Sequence, residues 1–316
     1  MTQAPPTFEA LEALPAEDAR LIEAKGPWRL AWDRLRRDRV AIVCFVVIVL
    51  IVLVAVCAPL IADLVGHKPD ATDQLRGLTP EGLPKGPSWS HPFGTDSLGR
   101  DIFIRVVYAA RISLLAGVVA SVLAILVGAV VGLFAGYIGG MTDSFLARTM
   151  DVILSFPFLL FGIALVSIVG PSLGIVIGVI AFFSWASVGR IVRGQTISIK
   201  EKEYIEAARS LGASDVRIMF VDVFPNLMAP VLVYLTLLIP AAIVFEATLS
   251  FLGLGVIPPT PTWGNMLAES LGFYQVAWWY VLFPAAALLI TTLAFNLLGD
   301  SVRDALDPRG ERLFRQ

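Results

Sequence analysis

Tyr204-Ile205-Glu206-Ala207-Ala208-Arg209-Ser210-Leu211-Gly212, running on to Pro225, is a charged stretch set between two long apolar runs at 152–189 and 223–245. Three further runs, 40–62, 112–142 and 270–299, likewise carry no Asp, Glu, Lys or Arg. Each reaches the ~20 residues that cross a hydrocarbon core as helix. The 152–189 run is too long for one crossing, and Gly170-Pro171-Ser172-Leu173-Gly174 interrupts it. It reads as two helices, roughly 152–169 and 173–189, joined by a tight turn. The expected fold is therefore all-α and integral to a membrane, with six transmembrane helices and both termini on one side. Composition agrees: 57% of residues are hydrophobic, 16% are charged and the mean hydropathy is +0.77, outside the soluble range.

The runs divide the chain into an N-terminal segment (1–39), a first crossing (40–62), a long loop (63–111), a five-helix core (112–299) holding the charged loop at 190–222, and a tail (300–316). Arginines and lysines orient these pieces. Arg29, Arg34, Arg36, Arg37 and Arg39 precede the first crossing, and Arg190, Arg193, Lys200, Lys202, Arg209 and Arg217 fill the charged loop. Arg303, Arg309, Arg312 and Arg315 follow the last crossing, whereas 246–275 has no Lys or Arg. Both termini are expected in the cytoplasm. The six basic residues of 63–111 point the other way, but long loops translocate with weak regard to charge. The first thirty residues hold Pro5, Pro6, Pro15 and several acids and lack a short apolar core, so they are not expected to be a cleaved signal.

The inventory excludes several classes. Asp151, Arg190, Glu246 and Asp300 are expected at span ends, and His67 and His91 fall in the first loop, leaving no intramembrane proton relay. A His-Glu-x-x-His pair, a Gly-x-Ser-x-Gly elbow and a phosphate-cradling Gly-Lys-Ser/Thr loop are all absent, so neither catalysis nor ATP binding is expected here. Cys44 and Cys57 lie in one helix about 20 Å apart and cannot bridge. Ala116, Ala120, Ala124, Gly128, Gly132, Gly136 and Gly140 recur every four residues. Such a stripe lets helix backbones approach where no hydrophobic effect draws them together. Gly128, Gly132 and Gly136 mark its expected contact, and Gly174 and Gly178 are expected to repeat the device. Pro157, Pro230, Pro240 and Pro284 are expected to kink spans.

The charged loop reads as a short amphipathic helix with Tyr204, Ala208 and Leu211 on one face and Ile205 beside it. Gly212 offers a left-handed stop, and Ser214 an N-cap for a second helix reaching Pro225. Two uses fit: a protrusion gripped by a partner, or a helix resting on lipid headgroups.

Glu206-Ala207-Ala208, three residues, Gly212, nine residues and Asp222-Val223-Phe224-Pro225 resembles the coupling loop of ABC importer permeases, with Asp222 and Phe224 departing from its Ile-x-Leu-Pro end. His91-Pro92-Phe93-Gly94-Thr95-Asp96-Ser97-Leu98-Gly99-Arg100-Asp101 is similar to the lead-in of the dipeptide, oligopeptide and nickel permease group. So are Gly136-Tyr137-Ile138-Gly139-Gly140, Pro258-Pro259-Thr260-Pro261-Thr262-Trp263-Gly264 and Arg303-Asp304-Ala305-Leu306-Asp307-Pro308-Arg309. The resemblance implies a type I importer permease, the C-type member of a heterodimer, in a bacterial or archaeal inner membrane. It implies two ATPase subunits that hold ATP and Mg while this chain holds no cofactor, an extracytoplasmic solute-binding protein, and a peptide substrate. Contact with lipid is expected and contact with nucleic acid is not. Nickel or another small solute is the alternative cargo, and a stand-alone channel or facilitator the alternative function. Asp96, Arg100 and Asp101 either pair locally or meet a partner's charges.

Overall fold

Backbone in hydrocarbon must satisfy its own hydrogen bonds, and the computed structural model, which describes residues 27–306, meets that demand with helices and no strand among the described residues. In chain order these are α1 (Pro27–Leu35), α2 (Arg39–Val56), α3 (Ala58–Val65), α4 (Gln74–Gly77), α5 (Ile102–Ile138), α6 (Gly140–Ser155), α7 (Phe158–Val169), α8 (Leu173–Lys200), α9 (Glu203–Ser210) and α10 (Asp215–Arg217). A π turn at Ile218–Val223 then leads into α11 (Phe224–Phe251), α12 (Trp263–Ser270) and α13 (Trp278–Leu306). The signature residues Asp307, Pro308 and Arg309, the tail arginines Arg312 and Arg315, and residues 1–26 of the segment read for a signal lie outside the described residues.

Among the described residues, five helices are long and apolar enough to cross a membrane: α2, α5, α8, the continuous rod from Asp215 to Phe251, and α13. The pair α6 and α7 makes a sixth crossing if its arms, bent by 81°, count as one. Pro157 does more than kink this span. It forces Phe156 into extended geometry (φ −79°, ψ 133°), which ends α6 and restarts the helix as α7. Pro230, Pro240 and Pro284 instead lie within unbroken helices.

Three boundaries differ from the sequence reading. The first crossing, expected over 40–62, divides at Cys57 into α2 and α3, with Pro59 in the first turn of α3. The long loop stops at 101 rather than 111, because Asp101 caps α5, its Oδ1 accepting from the backbone N–H groups of Phe103 (2.8 Å) and Ile104 (3.3 Å). α5 thus has 37 residues. At about 1.5 Å per residue it far exceeds a ~30 Å hydrocarbon core, and its first turns belong to a cap built from 67–105, α12 and the start of α13. Finally, α11 runs past its charge-free run to Phe251, so Glu246 is fully buried within the helix. Arg190, Asp300 and Asp151 likewise lie inside α8, α13 and α6.

α5 is the central mast. Along one side Gly128, Gly132 and Gly136 admit α8: a Cβ on them would stand 2.6 Å from Val188 Cβ, 2.5 Å from the Gly189 carbonyl oxygen and 2.7 Å from Thr196 Cβ. Higher up, Ile243 of α11 packs on Gly117. Gly174 and Gly178 do not repeat the device. A Cβ on either would meet nothing within 4 Å, because α8 buries its Val176, Val179 and Ile180 face, where Gly162 of α7 approaches Val179. Gly140 also stands free, as the left-handed start of α6. α2 lies outermost on α13, burying Ala41, Cys44, Ile48 and Ala55 and exposing most of its apolar surface.

The α1 end of the described chain meets the last turn of α13, where Arg34 Nη1 donates to the Ala305 carbonyl at 3.4 Å. Asp38 caps α2 at this junction. Its hydrogen bond with Ser301 and the N–H groups of α2 hold its carboxyl below the usual range. The charged loop lies at this same end of the bundle, and the cap lies at the other.

Candidate functional site

The charged loop is a helix, a turn and a rod. α9 ends in a Schellman closure: the Ala213 N–H donates to the Ala208 carbonyl (3.1 Å) and the Gly212 N–H to the Arg209 carbonyl (3.0 Å). Gly212 takes φ +82°, which a side chain would strain. Ser214 Oγ then accepts from the Arg217 N–H and starts α10. No separate second helix follows. The wide π turn at Ile218–Val223 carries α10 into α11, and it lies just before Pro225, whose ring removes a donor and crowds the preceding turn of a regular helix.

The face assignment within α9 also changes. Ile205 is the buried anchor, packed with Ile199, Ile218, Met219 and Val223 while Ala208 leans on the same cluster. Tyr204 (43% exposed), Glu206, Ala207 and Leu211 (88% exposed) point away from the bundle. Val216, Phe220 and Val221 continue this exposed apolar surface across the turn. The cause is geometric: the bundle meets α9 along the line of Ile205 and Ala208, so residues one position away face outward.

Polar ties hold this protrusion to the mast. Tyr137 at the end of α5 donates its hydroxyl to Asp215 Oδ1 at 2.8 Å, and Lys200 Nζ donates to the Tyr137 carbonyl at 2.5 Å while lying 5.3 Å from its ring. A cation at a helix C-terminus is favourably placed against the dipole. Arg193 pairs with Asp143 of α6, and Arg190 Nη2 with Asp151 Oδ1 at 2.5 Å. These contacts join α10 to α5, α5 to α8, and α8 to α6. Beside the protrusion a cleft of about 600 Å³ opens between α8, α11 and α13, lined in part by Gln195, Lys202, Asn226, Tyr234 and Arg303.

The cap gathers the lead-in residues. Gly94 and Gly99 turn the backbone at φ +76° and +75°, and buried Thr95 donates its hydroxyl to the Gly77 carbonyl at 2.6 Å. Asp96 is wholly buried: Oδ1 accepts from the N–H groups of Leu98 and Arg100, both at 2.9 Å, and Oδ2 pairs with Arg100 Nε at 2.5 Å. Asp96 and Arg100 therefore pair locally, and their network reaches beyond the motif. Arg100 Nη2 and Arg105 Nη2 donate to Glu269 Oε2 of α12 at 2.8 and 3.1 Å, and Tyr280 of α13 donates to the same oxygen at 2.9 Å. Asp101, besides capping α5, places Oδ2 2.7 Å from His67 Nδ1. Burial pushes the nearby His91 imidazole below its ordinary value, against the pull of Asp101.

Arg105, Glu269, Tyr280, Tyr137 and Asp215 escaped the sequence reading because each works through partners far along the chain. Glu246 was read as a span-end charge, and its partners were missed: its two oxygens accept from Ser113 Oγ (2.8 Å) and Ser250 Oγ (2.6 Å). One signal was legible: a carboxylate in a long apolar run needs hydroxyl partners, and Ser250 stands one turn away.

The family described as binding-protein-dependent transport system inner membrane component matches residues 128–312, and the N-terminal TM domain of oligopeptide transport permease C matches residues 26–80. The chain is 45% identical over 287 residues to the glutathione transport system permease protein GsiD of Salmonella typhimurium, covering 91% of this chain and 92% of that one. It is 42% identical over 300 residues to GsiD of Escherichia coli O6:H1 (95% and 96% covered). It is also 42% identical over 286 residues to the dipeptide transport system permease protein DppC of Alkalihalophilus pseudofirmus (90% and 91% covered).

Proposed function

Because this chain belongs to the family of binding-protein-dependent transport system inner membrane components, we propose that it is the C-type permease half of a peptide importer whose energy arrives through α9. A multi-pass inner-membrane permease follows from the family and the apolar helices. Beyond that, the proposal gives it cytoplasmic termini, a second permease as heterodimer partner, two ATPases carrying ATP and Mg, and an extracytoplasmic solute-binding protein. Peptides of a few residues are the proposed cargo, in line with the glutathione and dipeptide systems of its relatives.

The observation that carries the reading is the outward face of α9. Tyr204, Ala207 and Leu211 are exposed apolar side chains on a helix whose opposite side is pinned by Ile205. An element anchored on one side, with Tyr204, Ala207 and Leu211 exposed among the charges of Glu203, Glu206 and Arg209 on the other, suits a groove on a protein. Its ties through Tyr137, Lys200 and Asp215 give a groove that moves it purchase on α5 and α8. In the proposed cycle, closure of the ATPases displaces α9 and turns the permease pair from inward- to outward-facing. This chain performs no covalent chemistry in that cycle.

The test is purification of the complex from its native membrane with mass spectrometry of what remains bound, for the wild type and Ala207→Arg. Ala207 is exposed, so the variant is expected to insert and fold with a stability change within about 0.5 kcal/mol. It is expected to lose the ATPases and transport while keeping the second permease. A variant that retains both ATPases and full transport would sink the docking assignment, and a lone wild-type chain conducting solute would replace the importer with a facilitator.

A further inference from the structure

The chain has two histidines in 316 residues, and the fold brings both to one place. His67 follows α3 and His91 opens the lead-in to α5, yet their rings stack with centroids 4.8 Å apart and planes within 12°. Asp101 completes the group. Its carboxylate is buried, and one nitrogen or oxygen from each of the three residues lies within 4.8 Å of the others. We propose that His67, His91 and Asp101 form a Zn²⁺ site in the cap, with water as the fourth ligand.

The chemistry favours a borderline divalent ion. Two imidazoles and one carboxylate are the donor set of open tetrahedral zinc sites, which keep a solvent position. Two stacked imidazoles repel once both are protonated, whereas a shared cation draws their lone pairs together. The 2.7 Å contact between His67 Nδ1 and Asp101 Oδ2 shows the two groups already sharing a proton. A metal ion replaces that proton if the pair opens to about 3.3 Å, the ligand separation of a tetrahedron with ~2.0 Å bonds. His91 closes the remaining gap by side-chain rotation, since neither histidine is fully buried.

The outer groups that hold ligands in place are present too. Asp101 Oδ1 is fixed by the Phe103 and Ile104 N–H groups, so only Oδ2 faces the site. Ser90 Oγ lies 3.1 Å from His91 Nδ1, and in the tautomer that donates there Nε2 carries the free lone pair. A metal-bound histidine ordinarily has its second nitrogen hydrogen-bonded in this way. The His67 side chain is 32% exposed and gives an aqueous ion its entry. Occupancy would clamp the exit of the first crossing onto the start of α5, positions more than thirty residues apart in the chain.

The experiment uses the full-length chain purified in detergent on a tag free of histidine, titrated with zinc chloride against a chromophoric chelator. His67→Gln, His91→Gln and the double variant are compared, each checked for a monodisperse elution profile. The wild type is expected to bind one Zn²⁺ and to unfold at a higher temperature with it. Each single variant should lose affinity by about tenfold or more, and the double variant should show neither binding nor the thermal shift. Co²⁺ in place of zinc should give the visible absorption of a tetrahedral nitrogen and oxygen site in the wild type alone. Failure of the wild type to take up zinc at micromolar concentration overturns the proposal, as does equal binding by the double variant.

Discussion

At the scale of single residues, glycines separate into those that make room and those that make turns. Gly132 makes room. An added Cβ would stand 2.5 Å from the Gly189 carbonyl oxygen, and a backbone atom cannot swing aside as a side-chain tip can. Gly132→Ala is therefore expected to destabilise the chain by about 1–3 kcal/mol, as overpacking does. Gly178→Ala, with nothing within 4 Å, should change stability by about 1 kcal/mol or less in the same thermal unfolding measurement, and in the stabilising direction, since alanine favours helix. Equal losses in the two variants would contradict the assignment of α5 and α8 as the tight pair. Gly212 belongs to the second kind: its surroundings are open, and only its φ of +82° requires the missing side chain. Both kinds carry the same letter in the sequence, and a repeat of four hides which is which.

At the scale of elements, the cap is held by charge as much as by apolar packing. Asp96 and Glu269 face Arg100 and Arg105, four charges of zero sum that tie the lead-in loop, α5, α12 and α13 together. Removing one partner of a buried pair leaves an uncompensated charge and costs about 3–5 kcal/mol. Glu269 is 23% exposed, so Glu269→Ala is expected near the lower end, about 3 kcal/mol, with Glu269→Gln milder because an amide oxygen still accepts from the arginines. Amide exchange over 94–105 and 263–280 should rise in Glu269→Ala and leave α8 unchanged. Uniform loosening of the whole chain would instead mean that the cap is no independent unit. The acid–base pattern of the lead-in was readable as local pairing. Glu269 was not, because it lies 169 positions from Arg100 in the chain.

At the scale of the whole molecule, one end carries the α1 and α13 termini with the α9 protrusion, and the other carries the cap. With the proposed sidedness, a cysteine at Glu81 should react from outside intact cells with a membrane-impermeant thiol reagent, and one at Ser210 only after permeabilisation. Both positions are exposed, and Cys44 and Cys57 are first replaced by alanine. The opposite pattern would invert the molecule and leave α9 on the wrong side for an ATPase. The broken span at Pro157 also belongs to this scale. It turns α7 through 81° so that Phe158 and Phe161 meet Phe183 of α8, where a straight helix would have run past.

The amino-acid sequence by itself determined the membrane class, the apolar spans, the position of the charged loop and the Gly212 stop, because length, hydropathy and left-handed turns are local properties of the chain. Tertiary structure alone decided which face of α9 is free, where α5 begins, which glycines touch a neighbour, that Glu246 is sealed between Ser113 and Ser250, and that two distant histidines stack beside one carboxylate. Each of those depends on which helix lies alongside which. In a bundle made of similar apolar stripes, that choice is settled by the fit of backbones and the pairing of a few buried charges, and neither has a signature within a short window of sequence.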